Sequence, residues 1–94
     1  MIGQKVRELR EANDYLIRQL AAMLDIDTAQ LSKMERGERF FKKEEIIQIA
    51  RILNADQEEL LTIWLADKIY KVALEEKFAA KAIDIVKKKL SNEE

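Results

Sequence analysis

The chain has no cysteine, no histidine and no proline, and only two of its 94 residues are glycine. Without cysteine there is neither a disulfide framework nor a thiolate metal site, and without histidine there is no imidazole to serve as base, shuttle or ligand. The serine and threonine hydroxyls are confined to Ser32, Ser91, Thr28 and Thr62, and none has a recognisable base. The pairs Glu44-Glu45, Glu58-Glu59 and Glu75-Glu76 point in different directions on a helix and read as solvated faces or acidic helix starts, not acid/base dyads. No enzyme, catalytic residue, metal or cofactor is expected. The longest nearly unbroken apolar run, Leu60 to Ala66, falls far short of the ~18 residues of a membrane span. The opening MIGQKVRELR has no hydrophobic export segment, so a cytoplasmic protein without a membrane partner is expected. Nor is the chain disordered: 17 basic residues balance 18 acidic ones, and 48% of the residues are apolar.

The lack of proline and near-lack of glycine favour helices throughout, and apolar residues recur at three and four. The spacing predicts a first helix over 3–13 with Ile2, Val6 and Leu9 inward, and a second from near Leu16 carrying Leu20, Ala21 and Leu24. After the short break Asp25-Ile26-Asp27, Asp27 is expected to cap a third helix with its carboxylate, Gln30 completing a capping box. Leu31 and Met34 face inward and Gly37 closes the helix in the left-handed conformation. A loop with one core and one partly exposed ring, Phe40-Phe41, leads to a fourth helix holding Ile46, Ile49, Ala50 and Leu53. Asn54 is a left-handed cap, and Asp56 with Glu59 starts a fifth helix so apolar that it calls for neighbours on most sides, of which a domain this small has few. A break near Glu75-Glu76-Lys77 precedes a sixth, amphipathic helix with Phe78, Ala82, Ile83, Val86 and Leu90, and the tail SNEE should fray.

Two short helices joined by about three residues, the second capped, are the geometry of a helix-turn-helix. From Leu20 to Gly37 the chain resembles the XRE family, the Cro and phage-repressor class, whose pattern is L-A-x-x-L-G-I-S-x-x-x-[LI]-S-x-[WIL]-E-x-G. Leu20, Ala21, Leu24, Ile26, Leu31, Ser32, Glu35 and Gly37 carry the match. Upstream, Ile2, Gly3, Val6, Arg7, Leu9 and Arg10 follow I-G-x-x-[IV]-R-x-L-R, and 46–61 fits the last two core helices. The chain departs from the pattern where Leu16 and Ile17 replace a Ser/Thr-Gln pair, where Asp25 replaces the turn glycine, and where no proline follows Gly37.

The resemblance implies an all-α, five-helix repressor-like DNA-binding domain over 1–65 and an additional C-terminal helix over 66–94. It implies a scaffold ion pair between Arg10 and Glu35 and a recognition helix, 28–36, in the major groove. Thr28, Ala29, Ser32 and Lys33 are the exposed positions that would read bases, through hydroxyls, a methyl and a lysine suited to guanine O6/N7. Arg36, Arg39, Lys42 and Lys43, with Arg18 in place of the lost glutamine, would take phosphates. From Lys33 to Lys43 five bases meet two acids, a local net of +3 in a chain of net −1. The extension caps its own domain or serves dimerisation: folding back would hide part of the surplus apolar surface, and the remainder, with Trp64, Ile69, Phe78, Val86 and Leu90 as interface candidates, suggests a homodimer. The expectation is a DNA-binding transcriptional regulator on double-stranded operator DNA, similar to small controller-type regulators, with no small-molecule ligand. The alternative is a protein–protein module, antitoxin-like or adaptor, on the same fold.

Overall fold

The computed structural model describes residues 1–92, which form α1 (Ile2–Ala12), α2 (Ile17–Met23), α3 (Thr28–Glu35), α4 (Lys43–Ile52), α5 (Gln57–Ala73) and α6 (Ala79–Asn92). The architecture is all-α, as the absence of helix breakers required. Ser91 and Asn92 continue α6 rather than fraying, and Glu93 and Glu94 lie outside the described residues.

Each of the first four helices closes in the same way. Asp14, Asp25, Gly37 and Asn54 take positive φ of 60°, 57°, 80° and 51° just past the helix. The next amide then reaches back to an orphan carbonyl: Tyr15 to Arg10 (3.0 Å), Ile26 to Ala21 (3.0 Å), Glu38 to Lys33 (2.9 Å) and Ala55 to Ala50 (2.8 Å). This is the Schellman closure. Tyr15, Ile26 and Ala55 bring an apolar side chain onto the core as they do so. The position that lacks the pattern's glycine, Asp25, therefore keeps glycine's backbone geometry.

At the helix starts the outcome is mixed. Asp56 accepts the Glu59 amide at 3.2 Å, as expected. Asp27 occupies the N-cap position of α3 with extended backbone, but its carboxylate makes no capping hydrogen bond and Gln30 completes no box, which corrects the sequence expectation: the exposed carboxylate stays in water. Caps unforeseen in the sequence appear instead at α2 and α4. There Gln19 accepts the Leu16 amide at 2.8 Å and Glu45 accepts the Lys42 amide at 2.7 Å.

The core gathers Val6 of α1, Leu20 of α2, Leu31 and Met34 of α3, Ile46, Ile49 and Leu53 at α4, and Leu60 of α5, all essentially inaccessible to water. Phe41 joins them, whereas Phe40 is exposed. Gly3 lets α1 cross the end of α3 at close range, since a Cβ there would lie 2.5 Å from the carbonyl oxygens of Met34 and Glu35.

Neighbours cover α5 only in part. Of its 17 residues only Leu60 and Asp67 are buried, and Leu65, Ile69, Tyr70 and Val72 are exposed. The reason is geometric: only the first half of α5 lies on the α1 and α4 side of the core, and α6 buries none of its own residues. The radius of gyration, 15.1 Å, exceeds the ~12 Å of a compact chain of this length because the end of α5 and α6 form a projecting arm. No helix among the described residues is long and apolar enough to cross a membrane.

Candidate nucleic-acid interface

The geometry of this surface starts from the spacing of Leu31 and Met34, which are three residues apart on α3 and fully buried against α2. With that stripe inward, Thr28, Ala29, Lys33 and Arg36 stand in solvent and Ser32 is half-buried. The turn between α2 and α3 is the four residues 24–27, in which Leu24 is buried and Asp25 and Asp27 are exposed.

The orientation of α3 is held from behind by Arg10. Its Nε and Nη2 donate to the two carboxylate oxygens of Glu35 at 2.8 and 3.1 Å, and its Nη1 donates to the Tyr15 carbonyl at 2.9 Å. One guanidinium thus joins α1, the α1–α2 turn and the last residue of α3. The side chains are only 12% and 4% exposed. The fork-shaped hydrogen bonding to Glu35 raises the Arg10 pKa still further above its already high ordinary value, burial opposing it.

Arg36 is less free than its sequence position suggested. Its Nε donates to Glu38 at 2.6 Å and its Nη1 to the Ser32 hydroxyl. The hydrogen bond and charge of Glu38 raise the Arg36 pKa, and the same pair holds the Glu38 carboxyl below the usual carboxylate range. Ser32 therefore accepts from Arg36 and keeps its own hydroxyl proton for donation. Arg39 and Lys42 are exposed in the α3–α4 segment, Lys43 is exposed at the first position of α4, and Arg18 is exposed at the second position of α2. Of the acids among these bases, Glu35 is consumed by Arg10 and Glu45 by the α4 cap.

The five apolar interface candidates divide into two groups. Trp64 is turned toward its own core, half-buried, its Nε1 donating to the Phe41 carbonyl at 2.8 Å with Lys68 over its ring at 4.5 Å. Ile69, Phe78, Val86 and Leu90 line an open groove of about 720 Å³ between α5 and α6. Sequence reasoning also passed over Lys71, whose ammonium meets the Gly37 carbonyl at 3.2 Å and the Phe40 ring at 4.5 Å. A lysine on an exposed helix carries no signal of such a long-range contact.

In comparisons with known proteins, the family model of a helix-turn-helix domain matches residues 2–62. That span takes in α1 to α4 and the first third of α5. No curated protein and no solved structure matches the chain.

Proposed function

The chain belongs to the helix-turn-helix domain family, a DNA-binding class, and from that premise we propose a sequence-specific transcriptional regulator that binds operator DNA as a homodimer. The observation that carries the reading is α3 itself: apolar side chains anchor it, Arg10 clamps its end, and Thr28, Ala29 and Lys33 are left exposed. In the major groove these side chains and the Ser32 hydroxyl meet base edges. Arg18, Arg39, Lys42 and Lys43, all exposed, supply sequence-independent attraction to phosphates, as does Arg36 once drawn from Glu38.

Pairing two copies through the exposed α5–α6 face sets two reading helices about 34 Å apart, one turn of DNA, on a near-palindromic site. This face holds Ile69, Phe78, Val86 and Leu90 in water around an open groove, an apolar surface that a second copy would cover. The place of action is the compartment that holds the DNA, the cytoplasm of a cell without a nucleus. The family match favours this reading over a protein–protein module.

Fluorescence anisotropy with random duplex DNA at two salt concentrations, then with the duplex upstream of the coding sequence, tests the proposal. The expected result is binding that weakens steeply with salt, by about 0.9 log units per log unit of salt for each phosphate contact, and tightens on the upstream duplex. Absence of binding at low salt would refute it.

A further inference from the structure

Trp64, Asp67 and Lys71 recur at helical spacing and share one face of α5. That face does not look toward α6. It holds the segment that leaves α3: Trp64 donates to the Phe41 carbonyl at 2.8 Å, and Lys71 donates to the Gly37 carbonyl at 3.2 Å while lying over the Phe40 ring at 4.5 Å. Asp67, 4% exposed, sits 3.9 Å from the Lys71 ammonium and faces it with a buried carboxylate. Gly37 is the left-handed residue that closes α3, so Lys71 fastens the reading helix at its exit just as Arg10 fastens it at Glu35.

We propose that Lys71 is a positioning residue that fixes the angle between the reading helix and the α5–α6 arm. The inference rests on the reading of the chain as a DNA-binding dimer paired through that arm. In such a dimer the separation of the two reading helices depends on how each α3 is set on its own α5. Arg10 joins α3 to α1 and the α1–α2 turn and does not reach α5; the contact that ties the exit of α3 to the second half of α5 is the one through Lys71. Without it, the 37–41 segment keeps the Trp64 contact to the first half of α5, and each half-site is read as before while the distance between half-sites loosens.

The test is selection of binding duplexes from a random pool by the wild-type chain, by Lys71→Met, which keeps an apolar stem without the charge, and by Lys71→Arg. Thermal melting accompanies each to show that the fold is intact. The wild-type chain should recover paired half-sites at one spacing. Lys71→Met should recover the same half-site sequence at scattered spacings and bind the wild-type spacing about tenfold more weakly, equivalent to ~1.4 kcal/mol. Lys71→Arg should restore the single spacing. The same sharp spacing in Lys71→Met, even with uniformly weaker binding, would overturn the positioning role and leave the dimer reading standing. Recovery of unpaired half-sites, or of none, by the wild-type chain would overturn the dimeric DNA-binding reading and this inference with it.

Discussion

Lys33 and Lys43 carry the same charge but differ in what lies beneath them. Lys33 stands on the outward face of α3, whereas Lys43 is the first residue of α4. Lys33→Ala should cost about 1–3 kcal/mol at one base step and relax the preference there, while Lys43→Ala should weaken all duplexes alike and flatten the salt dependence by about one unit. Anisotropy titrations on a substituted duplex series separate the two outcomes, and equal behaviour of the two variants would refute the groove assignment. Glu38 offers the opposite test. Its carboxylate holds Arg36 at 2.6 Å, so Glu38→Gln should release the guanidinium, raise affinity for random duplex and steepen its salt dependence. The hydrogen bond from Arg36 lowers the Glu38 pKa, so the pair persists above the ordinary carboxylate range and is lost as pH falls through the depressed value. A carboxyl NMR titration should place Glu38 below its ordinary midpoint, and Arg36→Gln should return it upward. The sequence made the positions of these bases legible, because α3 has a clear inward stripe. It could not reveal that Arg36 is shared between Ser32 and Glu38, a choice of rotamer among partners all within reach.

Helix ends set the geometry between those residues, and here the sequence was legible only in part. Gly37 and Asn54 announce left-handed closures because glycine and asparagine tolerate positive φ. Asp14 and Asp25 adopt the same geometry, yet aspartate more often signals a helix start, the role its sequence position gives Asp27. Asp25→Gly should relieve the left-handed strain and raise stability by roughly 0.5–1 kcal/mol. It also removes an exposed acid from the α2–α3 turn, so DNA affinity should rise with it. A urea midpoint that falls in this variant would contradict the assignment. Gly3 tests a helix crossing rather than a helix end. Alanine is favoured over glycine within a helix by about 1 kcal/mol, but here a Cβ would meet the Met34 and Glu35 carbonyl oxygens at 2.5 Å. Both are backbone atoms at the end of α3 and cannot swing aside. Overpacking of this kind costs about 1–3 kcal/mol, so Gly3→Ala should be destabilising on balance despite its better propensity. A denaturation curve shifted to higher urea would show that α1 and α3 separate more easily than their contact implies.

For the whole molecule, the hydrophobic pattern located all six helices and the break after α5, because periodicity depends on which residues are apolar. It did not reveal what the apolar residues of α5 face, since the same pattern serves a wrapped helix and one half of an interface. The structure leaves α6 without a buried residue and its groove with α5 open. Exposed apolar side chains on an extended arm are stabilised by removal from water at roughly 25 cal/mol per Å², which favours a second copy with the same face. Val86 lines that groove and is 54% exposed in the single chain, so a charge there disturbs no core contact of its own domain. Val86→Asp should leave the thermal stability of the helix-turn-helix domain nearly unchanged. Docking that carboxylate against an apolar partner should cost several kcal/mol, about 2–4, and weaken dimerisation by roughly 30- to 1,000-fold. Sedimentation at micromolar concentration should then show a dimer for the wild-type chain and a monomer for the variant. Lys88→Glu, also on α6 but outside the groove lining, controls for the change of charge and should still sediment as a dimer. In the same samples the monomeric variant should bind random duplex with nearly wild-type affinity per chain and lose its advantage on paired half-sites. A Val86→Asp chain that sediments as a dimer would remove the α5–α6 face from the assembly.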